Sequence, residues 1–199
     1  RMIIDGALQD RRKVLNEMES KALLSAFHIP VAQTMLAHTP NEALLIAQQL
    51  GFPVAMKVNS RDITHKTDAG GVLLNLANAQ AVTAAFHEIF ESVKRNRPDA
   101  RMDGVSIEPK ADNPNSHELM VGVTSDAVFG PVITFGAGGT TVEVMGDRAV
   151  ALPPLNTFLV KDLIQDTRVA KMLGAFRHMP PVAMDALESV LLRLSEMVC

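Results

Sequence analysis

A lysine closes the apolar run from Phe52 to Met56, and Val58 follows it directly, so a strand built here carries an ammonium against a hydrophobic core. An unpaired ammonium in such a place is strongly disfavoured, and Lys57 has to find a counter-charge. Two readings suit it: a salt bridge at a sheet edge, or an anionic ligand such as a nucleotide phosphate. What comes next in the sequence bears on the choice. Ser60, Thr64, His65 and Lys66 lie in a polar segment that ends in Gly70-Gly71 before Val72 starts another apolar run. Hydroxyls, an imidazole and a glycine pair are what a loop over a phosphate uses, because glycine lets backbone N–H groups come close to an anion. A polar surface loop has the same composition.

The remaining pattern gives short elements of both kinds. Val14, Leu15, Met18, Ala22 and Ala26 recur at helical spacing, which predicts an opening helix over Arg11 to Phe27 that stops before Pro30. Val31 to Ala37 reads as a strand. Thr39-Pro40-Asn41-Glu42 is an N-terminal signal with proline at the first helical position and a glutamate for a capping box, so a helix runs to Leu50 and ends on Gly51. Val54 to Val58 and Val72 to Ala77 are strands, and Asn78 caps a helix that turns Val82, Phe86, Ile89 and Val93 inward. Further strands are expected at Gly104 to Ile107, Leu119 to Thr124, Val132 to Phe135 and Ala149 to Leu152. Asn156 caps another helix, and Val182 to Met197 is amphipathic through Leu187, Val190, Leu191 and Leu194. The Pro/Asn-rich stretch "EPKADNPNSHE" is the most loop-like connection, and a lobe boundary placed there gives lobes of residues 1–107 and 108–199. Two α+β lobes on a short hinge can close over a nucleotide.

Composition narrows the partners. With 199 residues, 47% hydrophobic and 21% charged, the chain is an ordinary folded protein of one large domain or two small lobes. A net charge of −3 and a pI near 6.1 give no basic surface for nucleic acid or anionic membrane. Cys199 is the only cysteine and can close no intrachain disulfide, which suits a reducing, cytoplasmic setting. The charged Arg11-Arg12-Lys13 is unlike a signal peptide, and no apolar run nears the roughly 20 residues that span a bilayer. The chain starts at Arg1 and stops inside an apolar helical pattern, as an excised piece of a longer protein would.

Several local likenesses can be weighed. "VAMK" resembles the strand lysine of protein kinases, but no HRD or DFG segment follows; the Walker pattern is absent too. "TFGAGGTTVEV", from Thr134, matches G-x-G-x-x-G only partly, since Thr141 stands where the third glycine belongs, and tight turns between strands explain it equally. Glu108 and Glu118, at the two ends of the hinge, are surface charges or nucleotide contacts. Of the histidines, His28, His38, His87, His117 and His178 have solvated or packing roles as the default. His65 lies in the candidate phosphate loop: a lone loop histidine is by default simply exposed, whereas an imidazole next to a phosphate site can act as nucleophile and carry a phosphoryl group.

Taken in order, "GFPVAMKVNSRDITHKTDAGGVLLNL", "GVSIEPKA", "HELMVGVTSDAVFGPVITFGAGGTTVEV" and "LPPLN" resemble the ATP-grasp domain of NDP-forming acyl-CoA synthetases over nearly the whole chain. That group includes ADP-forming acetate-CoA ligase and, more distantly, the succinyl-CoA synthetase β subunit. The resemblance implies a two-lobed α+β ATP-grasp fold, ATP/ADP and Mg²⁺ as cofactors, and a CoA-binding domain or subunit as partner; it leaves room for an oligomer. It implies nucleotide contacts at Lys57, Val58, Ser60, Gly70, Gly71, Glu108, Lys110 and Glu118. The Arg61 to Gly71 loop would be the flap over the phosphates, Glu108 with Lys110 the adenine hinge, and Glu118 the carboxylate near the ribose. His65 would be the covalent phosphate carrier. Gly138-Gly139 and Glu143 match a family segment without an implied contact. An acidic-x-N-P segment that follows the last helix in the family is not reached at Cys199, so the metal ligands are not identified, and the fragment alone is expected to make no acyl-CoA. A regulatory nucleotide-binding domain of a GNAT-fused protein-lysine acetyltransferase is the alternative. A carboxylate-amine ligase of the wider ATP-grasp class, which uses no histidine carrier, is a third reading, and a non-binding α/β scaffold a fourth.

Overall fold

The computed structural model describes residues 1–110, 116–139, 146–174 and 180–199. Glu143, Thr141 and His178 lie outside the described residues, as does part of the Pro/Asn-rich connection. The chain forms two compact units, one of Arg1–Leu24 and Val31–Asp112, the other of Ser25–Pro30 and Asn113–Cys199.

In the first unit, helices α1 (Met2–Gln9) and α2 (Glu17–Ala26) come before strand β1 (Met35–Ala37) and helix α3 (Pro40–Leu50). Strands β2 (Val54–Val58) and β3 (Val72–Leu76), helix α4 (Ala79–Asn96) and strand β4 (Val105–Pro109) complete it. The four strands form one antiparallel sheet in the order β1-β4-β2-β3. Alternation decides which side each residue faces. Val54, Met56 and Val58 of β2 and Val105 and Ile107 of β4 are fully buried, in one core with Ala43 and Ala47 of α3 and Val82, Phe86, Ile89 and Val93 of α4. Ala55, Lys57, Ser106 and Glu108 are thereby turned to the opposite face.

Local signals account for most boundaries. The Thr39 hydroxyl accepts from the Glu42 amide at 3.2 Å, and the Glu42 carboxylate accepts from the His38 amide at 2.7 Å. Gly51, at φ 85°, closes α3, and Asn78 caps α4 by accepting from the Ala81 amide at 2.9 Å. The opening helix is a correction. A single helix over Arg11 to Phe27 is not what forms: Arg11 sits at φ 56°, and Asn16 starts α2 instead, in a capping box with Glu19 closed at 2.8 and 2.9 Å. None of the residues of α2 is buried, so its apolar periodicity does not mark a core face, and His28 at φ 58° follows its end. Helix α1 was not foreseen, and β1 is shorter than the expected Val31 to Ala37.

The second unit is a meander of β5 (Leu119–Asp126), β6 (Gly130–Ala137) and β7 (Arg148–Ala151), with helices α5 (Thr157–Gln165), α6 (Ala170–Leu173) and α7 (Met184–Val198). Ile133 and Phe135 of β6, Val160 and Ile164 of α5 and Leu191 of α7 are buried. The buried Asp147 carboxylate accepts from the Arg168 and Val169 amides at 2.6 and 2.7 Å, tying the turn before α6 to the start of β7. The short α6 was not foreseen. Gly136 permits the close pairing of β6 with β7: a Cβ there would lie 2.0 Å from the Asp147 carbonyl oxygen. Backbone cannot yield as a side chain does, so Gly136→Ala is expected to cost about 2 kcal/mol or more, read as a lower urea midpoint at unchanged m-value.

Candidate functional site

The polar face of the first sheet gathers charge. Lys57 pairs with Ser106 across the strands and Ala55 with Glu108, so Lys57 and Glu108 are diagonal neighbours on one face, within reach of long side chains. Lys57 Nζ donates to Glu108 Oε1, and Glu17 Oε1 of α2 lies 3.8 Å from the same ammonium. Glu108 Oε2 accepts from Lys21 at 2.8 Å, and Lys21 is 3.2 Å from Glu17 Oε1, four residues earlier on its own helix. Lys66, from the β2–β3 loop, donates to Glu17 Oε2. Thr34 completes the group, accepting from Lys21 at 2.5 Å. Lys57 is thus not at a sheet edge: it stands on an interior strand, tied into a five-member ion cluster drawn from α2, β2, β4 and the loop.

Burial alone would push the carboxyls of Glu17 and Glu108 up. The surrounding lysines outweigh it, Lys66 first for Glu17 and Lys21 first for Glu108, and both are held below the usual carboxylate range. Burial likewise opposes the charge on Lys21, and Glu108 and Glu17 raise its pKa regardless. These shifts favour the charged forms of Glu17, Glu108 and Lys21, and lysines outnumber carboxylates in the cluster.

The loop beside the cluster is held from within. Gly71 donates to the Lys66 carbonyl at 2.8 Å and accepts from Val58 at 2.7 Å, and Gly70 donates to the Thr67 carbonyl at 3.0 Å. A Cβ on Gly71 would lie 2.4 Å from Val58 Cγ1, and one on Gly70, at φ 69°, 2.9 Å from Ser92 Cβ. The glycine pair therefore lets the loop close onto β2 and α4, and both of its amides are engaged in this conformation. The buried Ser60 accepts from the Asp62 amide at 3.1 Å. A cavity of about 340 Å³ opens here, with Asn16, Glu17, Ser60, Arg61, Thr64 and Lys66 in its wall. Exposed His65 lines a neighbouring recess with Asp62, Asp68 and Arg97, and Thr64 borders both.

The remaining residues are placed as follows. Lys110 donates to Asn75 Oδ1 at 2.8 Å and through its amide to Pro53 at 3.1 Å. Glu118 belongs to the second unit, where its carbonyl accepts from Gly138 at 2.7 Å; a Cβ on Gly139, at φ 78°, would meet the Glu118 carboxylate at 2.9 Å. Lys57, Lys66 and Glu108 are brought into one cluster, with Ser60 on the adjoining cavity and His65 on the next recess. Glu17, Lys21 and Thr34 are cluster members that the sequence analysis missed. The Glu17–Lys21 spacing on a helix is a signal of sorts, though it reads as a surface ion pair until the sheet is in place.

The residues 6–199 match the family model described as an ATP-grasp domain. The chain belongs to the ATP-grasp family. Its relatives include the β subunit of ADP-forming acetate–CoA ligase II from Pyrococcus furiosus, 35% identical over 98% of this chain and 82% of that subunit. ADP-forming acetate–CoA ligase I from Archaeoglobus fulgidus is also 35% identical over 98% of this chain, which spans only 28% of that longer protein. Among solved structures, the dinucleotide-forming acetyl-coenzyme A synthetase 1 of Ca. Korarchaeum cryptofilum, in complex with coenzyme A and Ca-AMPCP, superposes with a TM-score of 0.94 at 35% identity, over all of this chain and 86% of that one. The same synthetase with coenzyme A and Mg-AMPPCP, its phosphohistidine segment pointing towards the nucleotide binding site, gives 0.85 at 31% identity, over all of this chain and 84% of that one. This ATP-grasp domain is therefore of the β-like type found in ADP-forming acyl-CoA synthetases.

Among its described residues no group of three or more His, Cys, Asp or Glu could hold a metal ion. Mg²⁺ is commonly carried on phosphate and water oxygens with one or two protein carboxylates. The lysines of the cluster suit the phosphates on which such an ion is borne.

One pairing at the edge of the cavity gives a direct test of the local electrostatics. Arg12 donates from both terminal nitrogens to Glu19 at 2.8 Å each; with this bond outweighing burial, the Glu19 carboxyl falls from 4.5 to about 2. A depressed carboxylate stabilises the fold above its unfolded pKa and loses that contribution as pH falls through the folded one. Arg12→Met is expected to return the Glu19 titration, followed by NMR, towards 4.5, and to remove stability above that pH while leaving it unchanged below about 2.

Proposed function

We propose that this chain is the nucleotide-handling part of an ADP-forming acid–CoA ligase, moving a phosphoryl group between ATP/ADP and a histidine. The parent reaction is acid + CoA + ATP ⇌ acyl-CoA + ADP + phosphate. The observation that carries the reading is the ion cluster of Lys57, Lys66, Glu17, Glu108 and Lys21 beside the His65 loop, in a chain of this family.

Phosphoryl transfer requires positioning and charge stabilisation more than covalent help from the protein. Lys57 and Lys66 exchange their carboxylate partners for phosphate oxygens and hold the nucleotide's negative charge. Mg²⁺, when bound with the nucleotide, would supply further charge neutralisation. The lone pair of a His65 imidazole nitrogen attacks the terminal phosphorus of ATP; the N–P bond forms as the bond to the bridging oxygen breaks, and ADP leaves with that electron pair. The exposed position of His65 suits a carrier that must meet a second protein group. That group is a histidine on a CoA-binding domain or subunit, which passes the phosphoryl group onward. Val58, Ser60, Gly70 and Gly71 would shape the phosphate loop, and Glu108 and Lys110 would serve the nucleoside.

The relatives named above are acid–CoA ligases, which gives the acetyltransferase alternative no support. A reducing cytoplasm suits a chain whose cysteine, Cys199, is an exposed free thiol. Among the described residues no helix is long and apolar enough to cross a membrane.

Two measurements test the reading. Calorimetric titration of Mg-ADP is expected to show affinity falling at least about tenfold in Lys57→Ala, the loss of one strong charge-assisted contact. Incubation with ATP labelled on its terminal phosphate is expected to leave acid-labile label on the wild-type chain and none on His65→Ala; label that persists on the variant rules out the carrier role.

A further inference from the structure

The cluster holds a residue whose charge neither the strand lysine nor the loop requires. Lys21 stands between the two carboxylates, 3.2 Å from Glu17 Oε1 and 2.8 Å from Glu108 Oε2, and it donates to Thr34, whose hydroxyl in turn lies 3.3 Å from Glu108 Oε2. Glu17 also serves Lys66 and Lys57, and Glu108 also serves Lys57. Each carboxylate is mostly buried, with side-chain exposures of 16% and 15%. The lysines proposed to take the phosphates are therefore already spoken for. When Lys57 and Lys66 turn to a nucleotide, Glu17 and Glu108 lose their partners, and a buried carboxylate stripped of its cation is strongly destabilising.

We propose that Lys21 is a positioning residue that keeps Glu17 and Glu108 neutralised while Lys57 and Lys66 exchange carboxylate for phosphate. The inference rests on the reading that these two lysines receive the phosphates. Lys21 can do this because its partners are the two oxygens on its own side of the carboxylates, Glu17 Oε1 and Glu108 Oε2, while Lys66 and Lys57 take Glu17 Oε2 and Glu108 Oε1 as their nearest contacts. It does not have to move when the others do. The i,i+4 spacing from Glu17 on α2, and the Thr34 hydroxyl just before β1, hold its ammonium in place. In its absence two carboxylates face two lysines, and phosphate competes for both.

The experiment is calorimetric titration of Mg-ADP into the whole chain and its variants, each checked for an intact thermal transition. Lys21→Met is expected to weaken binding roughly tenfold, since phosphate must then displace uncompensated carboxylates. Lys21→Arg, which keeps the charge, is expected to stay within about twofold of wild type. The decisive variant is the double substitution Lys21→Met/Glu17→Gln. Removing one of the two carboxylates that Lys21 serves, so that Lys66 is free for phosphate, restores affinity to within about threefold of wild type, which loss of a merely structural bond could not do. Wild-type affinity in Lys21→Met overturns the proposal. A double variant as weak as Lys21→Met also overturns it, and places Lys21 on the phosphate itself or in the fold alone. Lys57→Ala separates the two claims: if it binds as wild type, the phosphate-site reading fails; if it loses binding while Lys21→Met does not, only the role of Lys21 fails.

Discussion

The charge of Lys57 on an interior strand governs the arrangement of the first unit. Val54, Met56 and Val58 are committed to the core against α3 and α4, and a pleated strand then has no choice but to turn Lys57 to the opposite face. A cation so placed needs a counter-charge, and the antiparallel register supplies one from β4, where Glu108 is its diagonal neighbour. A second comes from α2, whose acidic first turn lays Glu17 beside it. Lys21 and Lys66 follow because two carboxylates in one half-buried place require more than one lysine. The apolar side of the sheet and the charged side are thus consequences of a single alternation.

The glycine pairs have a related logic. Gly70-Gly71 brings the loop onto β2 and α4, and Gly138-Gly139 brings the end of β6 against the backbone of Glu118. At each pair the backbone approaches where a side chain would collide, and hydrogen bonds inside the unit take up the amides of Gly70, Gly71 and Gly138. A cavity beside the loop holds hydroxyls and cations in its wall, so the loop presents side chains towards the open space. The charge for an anion is on Lys57 and Lys66.

Much of this was legible in the sequence where the signal was local. Thr39-Pro40 with Glu42, Asn78 and Asn156 mark helix starts that the structure places where capping chemistry puts them, and the strand Val54–Val58 is bounded as expected. The lysine in that strand pointed to a partner because its burial is costly in any fold. The opening segment was not legible, since the apolar spacing from Val14 to Ala26 imitates a core-facing helix while Asn16 breaks it and its residues remain outside the core. Glu17, Lys21 and Thr34 were missed for a different reason. They join the site through pairing of strands and helix far apart in sequence, and nothing in their own neighbourhoods distinguishes them from surface charge. The residues themselves pointed to the strand lysine and the histidine loop, and the ATP-grasp resemblance attached nucleotide roles to them as expectations; the counter-ion framework became visible only once the sheet register was known.

The most direct measurement is a crystal structure of this chain with Mg-ADP. If the cluster is a phosphate site, Lys57 Nζ will have left Glu108 Oε1 and will lie within about 3 Å of a phosphate oxygen. A nucleotide bound with its phosphates elsewhere, and Lys57 still on Glu108, would contradict it.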